Sequence, residues 1–171
     1  MKRVILTSGP RGAGKSHYVN NFRGKNSRFG LLSRDECSSE LFGRTSFDPY
    51  TGEGEYAHRI FFGRVKEALK KPGSVDLIVD CWNGWSKQRS KMIERFRSYG
   101  ADRVICWKFV TPLDTCINWF MKKDSDEIGG RTESSVEWYY ALYHKESQGI
   151  EEDGFDKVYS INPLQMELFR L

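Results

Sequence analysis

No apolar run in this 171-residue chain approaches the roughly 18 residues that cross a bilayer, so a membrane span is excluded from the expectations. The N-terminus enters a strand-like run at once, without the h-region and small-residue cleavage site of a secretion signal, and a cytoplasmic location is the expectation. The four cysteines (Cys37, Cys81, Cys106, Cys116) include no CxxC pair, and no histidine stands at zinc-finger spacing. They read as free thiols, several of them buried. Internal repeats, low-complexity tracts and linker-like stretches are missing as well, so residues 1–171 read as one domain.

What remains is ordinary globular composition, 39% hydrophobic and 29% charged. The formal charge of +4 suits an anionic ligand. Aromatic content of 14%, with five tryptophans, leaves rings available for stacking beyond those a core uses.

Along the chain, short β-branched runs alternate with helical patterns. Strands are expected at residues 3–8, 29–33, 75–80, 103–110 and 157–161. Helices are expected at 15–22, 55–71, 86–99, from Pro112 onward, and at 134–147. Tyr56, Ile60, Val65 and Leu69 share one face of the second helix, Met92, Ile93 and Phe96 of the third, and Cys116, Ile117 and Phe120 of the fourth. The segments 42–54 and Glu151-Glu152-Asp153 read as loops, and the polar stretch 122–133 as a mobile lid. Alternation of this kind predicts right-handed crossovers and an α/β three-layer sandwich around a mostly parallel sheet of about five strands.

Residues 9–16, Gly-Pro-Arg-Gly-Ala-Gly-Lys-Ser, spell a complete Walker A loop between the first strand and the first helix. Such a loop turns backbone N–H groups toward phosphate oxygens with a helix N-terminus behind them. Gly9, Gly12 and Gly14 permit the close approach, Lys15 reaches the β- and γ-phosphates, and the Ser16 hydroxyl can ligate Mg²⁺. The nucleotide site is therefore assigned to Gly9, Arg11, Gly12, Ala13, Gly14, Lys15 and Ser16. His17, which reads equally as a surface or packing position, is counted with them.

A P-loop does not identify the acceptor. Transfer to a hydroxyl needs a carboxylate near the γ-phosphate, and such groups lie at the C-terminal ends of strands. Asp35, after the second strand, and Asp80, closing the third, both fall there, and both also read as caps or loop anchors. Trp82 and Trp85 flank Asn83 and read either as packing or as a stacking surface for a base. Lys87, Arg89, Lys91, Arg95, Arg97 and Arg103 read either as a nucleic-acid track or as a solvated face.

The Walker A loop, Ser33-Arg34-Asp35-Glu36, and Ile78-Val79-Asp80 followed by Asn83 and Arg89 together resemble the kinase domain of bacteriophage polynucleotide 5′-hydroxyl kinase and its P-loop relatives, over roughly residues 1–145. The resemblance implies that Asp35 is the general base, that Arg34 and Asp80 line the acceptor channel, and that an arginine of the lid covers the ATP phosphates. Arg131 is the arginine of that segment, with Lys122 and Lys123 before it. Two positions depart from the relatives: Asn83 stands three residues after Asp80 rather than two, and Ser38 stands where an arginine touches substrate phosphate.

The resulting expectation is a Mg²⁺- and ATP-dependent kinase for a hydroxyl of a nucleic acid, DNA rather than RNA. The hydroxyl is a 5′ end or, as in some phage enzymes of this group, a hydroxymethylated base. Lys15, Asp35 and Arg131 are the catalytic residues, and Arg34, Asp35, Asp80, Trp82, Asn83 and Arg89 meet the acceptor. A kinase for a nucleoside, nucleotide or sugar is the second reading. A regulatory NTPase is the third, and the chain lacks the Asn-Lys-x-Asp motif of a GTPase and the Asp-Glu strand end of a motor ATPase.

Overall fold

In the computed structural model, which describes residues 1–45, 51–122 and 132–165, β-branched and leucine-rich runs form five strands. These are β1 Lys2–Ser8, β2 Gly30–Ser33, β3 Val75–Asp80, β4 Arg103–Phe109 and β5 Lys157–Ile161. They make one sheet in the order β2-β3-β1-β4-β5, with every neighbouring pair parallel. The sheet is wholly rather than mostly parallel, as continuous apolar strands covered on both faces require.

Strand alternation divides the core between two faces. Val4, Leu6, Leu77, Val79 and Val104 point to one side, and Ile5, Ile78, Ile105, Trp107 and Phe109 to the other. The first face is covered by α3 (Gly52–Lys70), through Phe61, Phe62, Val65 and Leu69, and by α4 (Ser86–Ser98), through Met92, Ile93 and Phe96. The second is covered by α1 (Lys15–Lys25), through Tyr18, Val19 and Phe22, by α5 (Leu113–Met121), through Cys116 and Phe120, and by α6 (Glu133–Glu146), through Val136. Edge-to-face rings fill the second layer, with Trp107 4.9 Å from Phe22 and 5.6 Å from Tyr18. All four cysteines are buried free thiols.

Several sequence expectations shift. The α3 face keeps the expected Val65 and Leu69, with Ile60 half-buried, but adds Ala57, Phe61 and Phe62 and leaves Tyr56 exposed. The helix begins at Gly52, capped by the Thr51 hydroxyl, rather than at Glu55. An unforeseen helix, α2 (Arg34–Phe42), follows β2 directly, with Ser33 accepting from the Glu36 amide at 3.4 Å as its N-cap. Glu151-Glu152-Asp153 belongs to a short 3-10 helix, Ile150–Asp153, rather than a loop, because Asp153 is buried against α4. The segment 42–54 is helical at both ends, with residues 46–50 outside the described residues. No helix among the described residues is long and apolar enough to cross a membrane.

Phe61 has no exposed surface and touches Phe62 edge-on at 5.1 Å. Phe61→Ala should cost about 3–5 kcal/mol of stability, read from the denaturant midpoint. A change below about 1 kcal/mol would contradict the packing of α3 on the sheet.

Candidate active site

The strand register brings the chemistry together. Leu6 pairs with Val79, so Thr7 lies across from Asp80, and Ser33 of β2 pairs with Asp80 on its other side. Asp80 is 9% exposed and accepts from the Thr7 hydroxyl at 2.6 Å and from Ser16 Oγ at 3.1 Å. A carboxylate and a hydroxyl thus meet at the start of α1, beneath the phosphate loop. Thr7 was not singled out from the sequence. The signal was its place opposite Asp80 at the end of a paired strand.

The loop itself is built for close approach. Gly12 and Gly14 have φ of +76° and +79°, and a Cβ on Gly12 would lie 2.3 Å from the Cys116 carbonyl oxygen. Thr111 anchors the loop by donating to the Ala13 carbonyl at 2.8 Å. Lys15 Nζ folds back to donate to the carbonyls of Gly9 and Pro10, both at 3.0 Å. Arg11 lies away from this cradle. Its guanidinium stacks 4.2 Å over Tyr139 and 5.2 Å from Phe120, and donates to Ser135 Oγ at 3.4 Å. His17 is exposed and shares a hydrogen bond with Asn21.

Arg34 and Asp35 occupy the first turn of α2. Asp35 is exposed, and among the described residues it makes no hydrogen bond or ion pair. The buried Cys81 thiol reports what surrounds the strand ends. Burial pushes it up to about 12, and Arg34, Asp80, Asp35 and Lys15 are all close enough to act on it with opposing signs. Asp80 at the end of β3, Lys15 and Ser16 at the start of α1, and Arg34 and Asp35 at the start of α2 thus lie at the same edge of the sheet.

Two expected acceptor residues do not reach it. Arg89 is fully buried: its guanidinium pairs with Asp153 and donates to the carbonyls of Asn83, Gly84 and Glu146. It holds the turn after β3 in place and has no surface to offer a substrate. Asn83 is 2% exposed, with its amide nitrogen donating to the Thr7 and Cys81 carbonyls at 2.7 and 2.8 Å. Its Oδ1 has no partner among the described residues. The basic series on α4 likewise divides among tasks. Arg95 lies over the Phe62 ring, Arg97 pairs with Asp156, and Lys87 and Lys91 face outward. Trp82 packs edge-on against Trp85 and Tyr139, in the space a Gly84 side chain would need. Arg131, Lys123 and most of the 122–133 lid lie outside the described residues.

The donor set fits a Mg²⁺–nucleotide. Ser16 and Asp80 supply the hydroxyl and carboxylate that such a site uses, and Gly12 and Gly14 leave the space for phosphate oxygens.

A family model described as an AAA domain matches residues 4–138. The chain belongs to this AAA domain family. No curated protein sequence matches it. Among solved structures, a chain in the Pnkp1/Rnl/Hen1 RNA repair complex superposes with a TM-score of 0.72 at 17% identity, over 86% of this chain. This chain spans 46% of that one, about half its length. Shikimate kinase from Bacteroides thetaiotaomicron gives 0.59 at 13% identity, covering 92% of this chain and 85% of that one. The tunicamycin resistance protein of Deinococcus radiodurans gives 0.58 at 15%, covering 94% and 86%. At these identities the likeness is one of fold, that of a P-loop kinase, and this AAA domain fold implies use of a nucleotide. The neighbours range from an RNA repair complex to a small-molecule kinase, so the fold leaves the acceptor open.

Because the Arg89–Asp153 pair is fully desolvated, Arg89→Met leaves a buried carboxylate unpaired and should destabilise the fold by about 3–5 kcal/mol in urea titration. A variant of unchanged stability that loses acceptor binding would return Arg89 to the acceptor side.

Proposed function

We propose that the protein transfers the γ-phosphoryl group of ATP to a hydroxyl of a nucleic acid. The observation that carries this is the grouping of Lys15, Asp80, Arg34 and Asp35 at the C-terminal ends of the strands, with Asp35 exposed and without a partner among the described residues. In the first turn of α2 this carboxylate also complements the helix dipole. A kinase needs one to orient the attacking hydroxyl and accept its proton.

In this reading the loop amides and Lys15 hold the β- and γ-phosphates. The present Lys15 contacts to Gly9 and Pro10 hold the ammonium inside the loop, ready to exchange carbonyl partners for phosphate. Ser16 and Asp80 would hold Mg²⁺, which would supply neutralisation of phosphate charge. Asp35 takes the proton as the acceptor oxygen bonds to phosphorus and the bond to the bridging oxygen of ADP breaks. Arg34, beside it, steers the anionic acceptor, and Arg131 serves as the lid cation over the phosphates. Positioning and charge neutralisation supply most of the acceleration.

The fold likeness to a chain of an RNA repair complex supports a polynucleotide acceptor. A free 5′ end and a hydroxymethylated base in DNA both meet the chemistry, and DNA is the preferred polymer in this reading. The fold likeness to shikimate kinase supports a small acceptor as the second reading.

Asp35→Asn should reduce transfer of label from γ-labelled ATP to a 5′-hydroxyl or hydroxymethyluracil oligonucleotide by about 10²- to 10⁴-fold, with nucleotide affinity unchanged. Full activity in this variant would remove Asp35 from the mechanism.

A further inference from the structure

Neither the nucleotide cradle nor the core accounts for a chain of four aromatic rings beside the phosphate loop. Trp85 meets Trp82 at 6.1 Å, Trp82 meets Tyr139 at 5.0 Å, and Tyr139 meets Trp138 at 4.9 Å, each pair nearly perpendicular. The inner two rings are fixed. Trp82 fills the space over Gly84, where a Cβ would approach it to 2.1 Å, and Tyr139 lies under the Arg11 guanidinium at 4.2 Å. The outer two are open: Trp85 is 41% exposed and Trp138 58%. Large indoles left in water on such rigid supports lose burial they could otherwise have had. Arg11 belongs to the Walker A loop, so its stacking on Tyr139 ties the ring chain to the edge of that loop.

We propose that this cluster is a stacking platform for unpaired bases of the acceptor strand. Trp85 and Trp138, at the two ends of the chain of rings, each offer a face to a separate base, while Trp82 and Tyr139 are props that hold them. The inference rests on the nucleic-acid reading above and narrows it: the acceptor nucleotide is single-stranded or drawn out of a duplex, because a base inside the stack offers no free face. The charge around the rings is mixed. Lys87 is exposed in the first turn of α4 and Arg11 lies on Tyr139, while Glu146 accepts from the Ser86 amide at 3.3 Å and exposed Glu137 precedes Trp138. The rings rather than the charges therefore carry the recognition. Stacking of this kind tolerates any base, so the platform sets strandedness rather than sequence.

The test uses the full chain and a labelled oligothymidylate, a strand with little stacking of its own. Its binding is followed by fluorescence anisotropy, with a blunt duplex of equal length as the comparison. Wild type should prefer the single strand. Trp85→Ala and Trp138→Ala should each weaken single-strand binding about 5- to 140-fold, and the Phe variants should retain most of it. Binding of a fluorescent ATP analogue should be the same in all of them, which shows that the fold is intact. Two results overturn the platform. Alanine variants that bind and phosphorylate the single strand like wild type remove it while leaving the kinase reading standing. A wild-type protein that binds no polynucleotide yet phosphorylates free nucleosides removes both.

Discussion

Asp80 accepts two hydroxyl hydrogen bonds, from Thr7 of the central strand and from Ser16 of the phosphate loop, and the rest of the site is arranged around that carboxylate. Parallel pairing of β1 with β3 puts Thr7 beside it, and pairing of β2 with β3 puts Ser33, the cap of α2, on its other flank. Through Ser33 the register also fixes where α2 starts, and so where Arg34 and Asp35 emerge. A one-residue slip of β3 would turn Asp80 to the opposite face and separate the loop from the acceptor side at one stroke. This is why a sheet buried on both faces suits such chemistry: its register is strongly specified by two apolar layers.

The turn after β3 shows the same logic with different residues. Arg89 and Asp153 form a buried pair, and the remaining guanidinium donors go to backbone carbonyls of Asn83, Gly84 and Glu146. A charged pair there gives little net stability over apolar packing, but it ties α4, the Asn83–Gly84 turn, the end of α6 and the 3-10 helix to one point. That tie sets the position of Trp82 and Trp85, so an internal ion pair governs the surface the acceptor would meet.

The sheet was readable in the sequence because its strands are short, β-branched and bounded by helical periods. β3 and β5 fall at the residues expected, as does the start of α4. The phosphate loop was readable because its glycines have no substitute where Cβ atoms would meet the Cys116 carbonyl or the Trp119 ring. The α2 helix was missed because a cap at Ser33 and a nine-residue helix of low apolar content leave no periodic stripe. Arg89 was misread because its spacing matches exposed cations nearby, and only the distant Asp153, 64 residues on, reveals that it is internal. Asp80 reads as an acceptor residue by position alone, and only its bond to Ser16 draws it toward the metal side. The four-ring cluster joins residues more than 50 positions apart, which no local pattern could foretell.

The most direct measurement is transfer of label from γ-labelled ATP to a single-stranded oligonucleotide and to a free nucleoside across a series of salt concentrations. The account predicts transfer to the oligonucleotide with a kcat/KM that falls steadily as salt rises, because counterion release contributes to binding the strand. Transfer confined to the nucleoside, at a rate indifferent to salt, would contradict it.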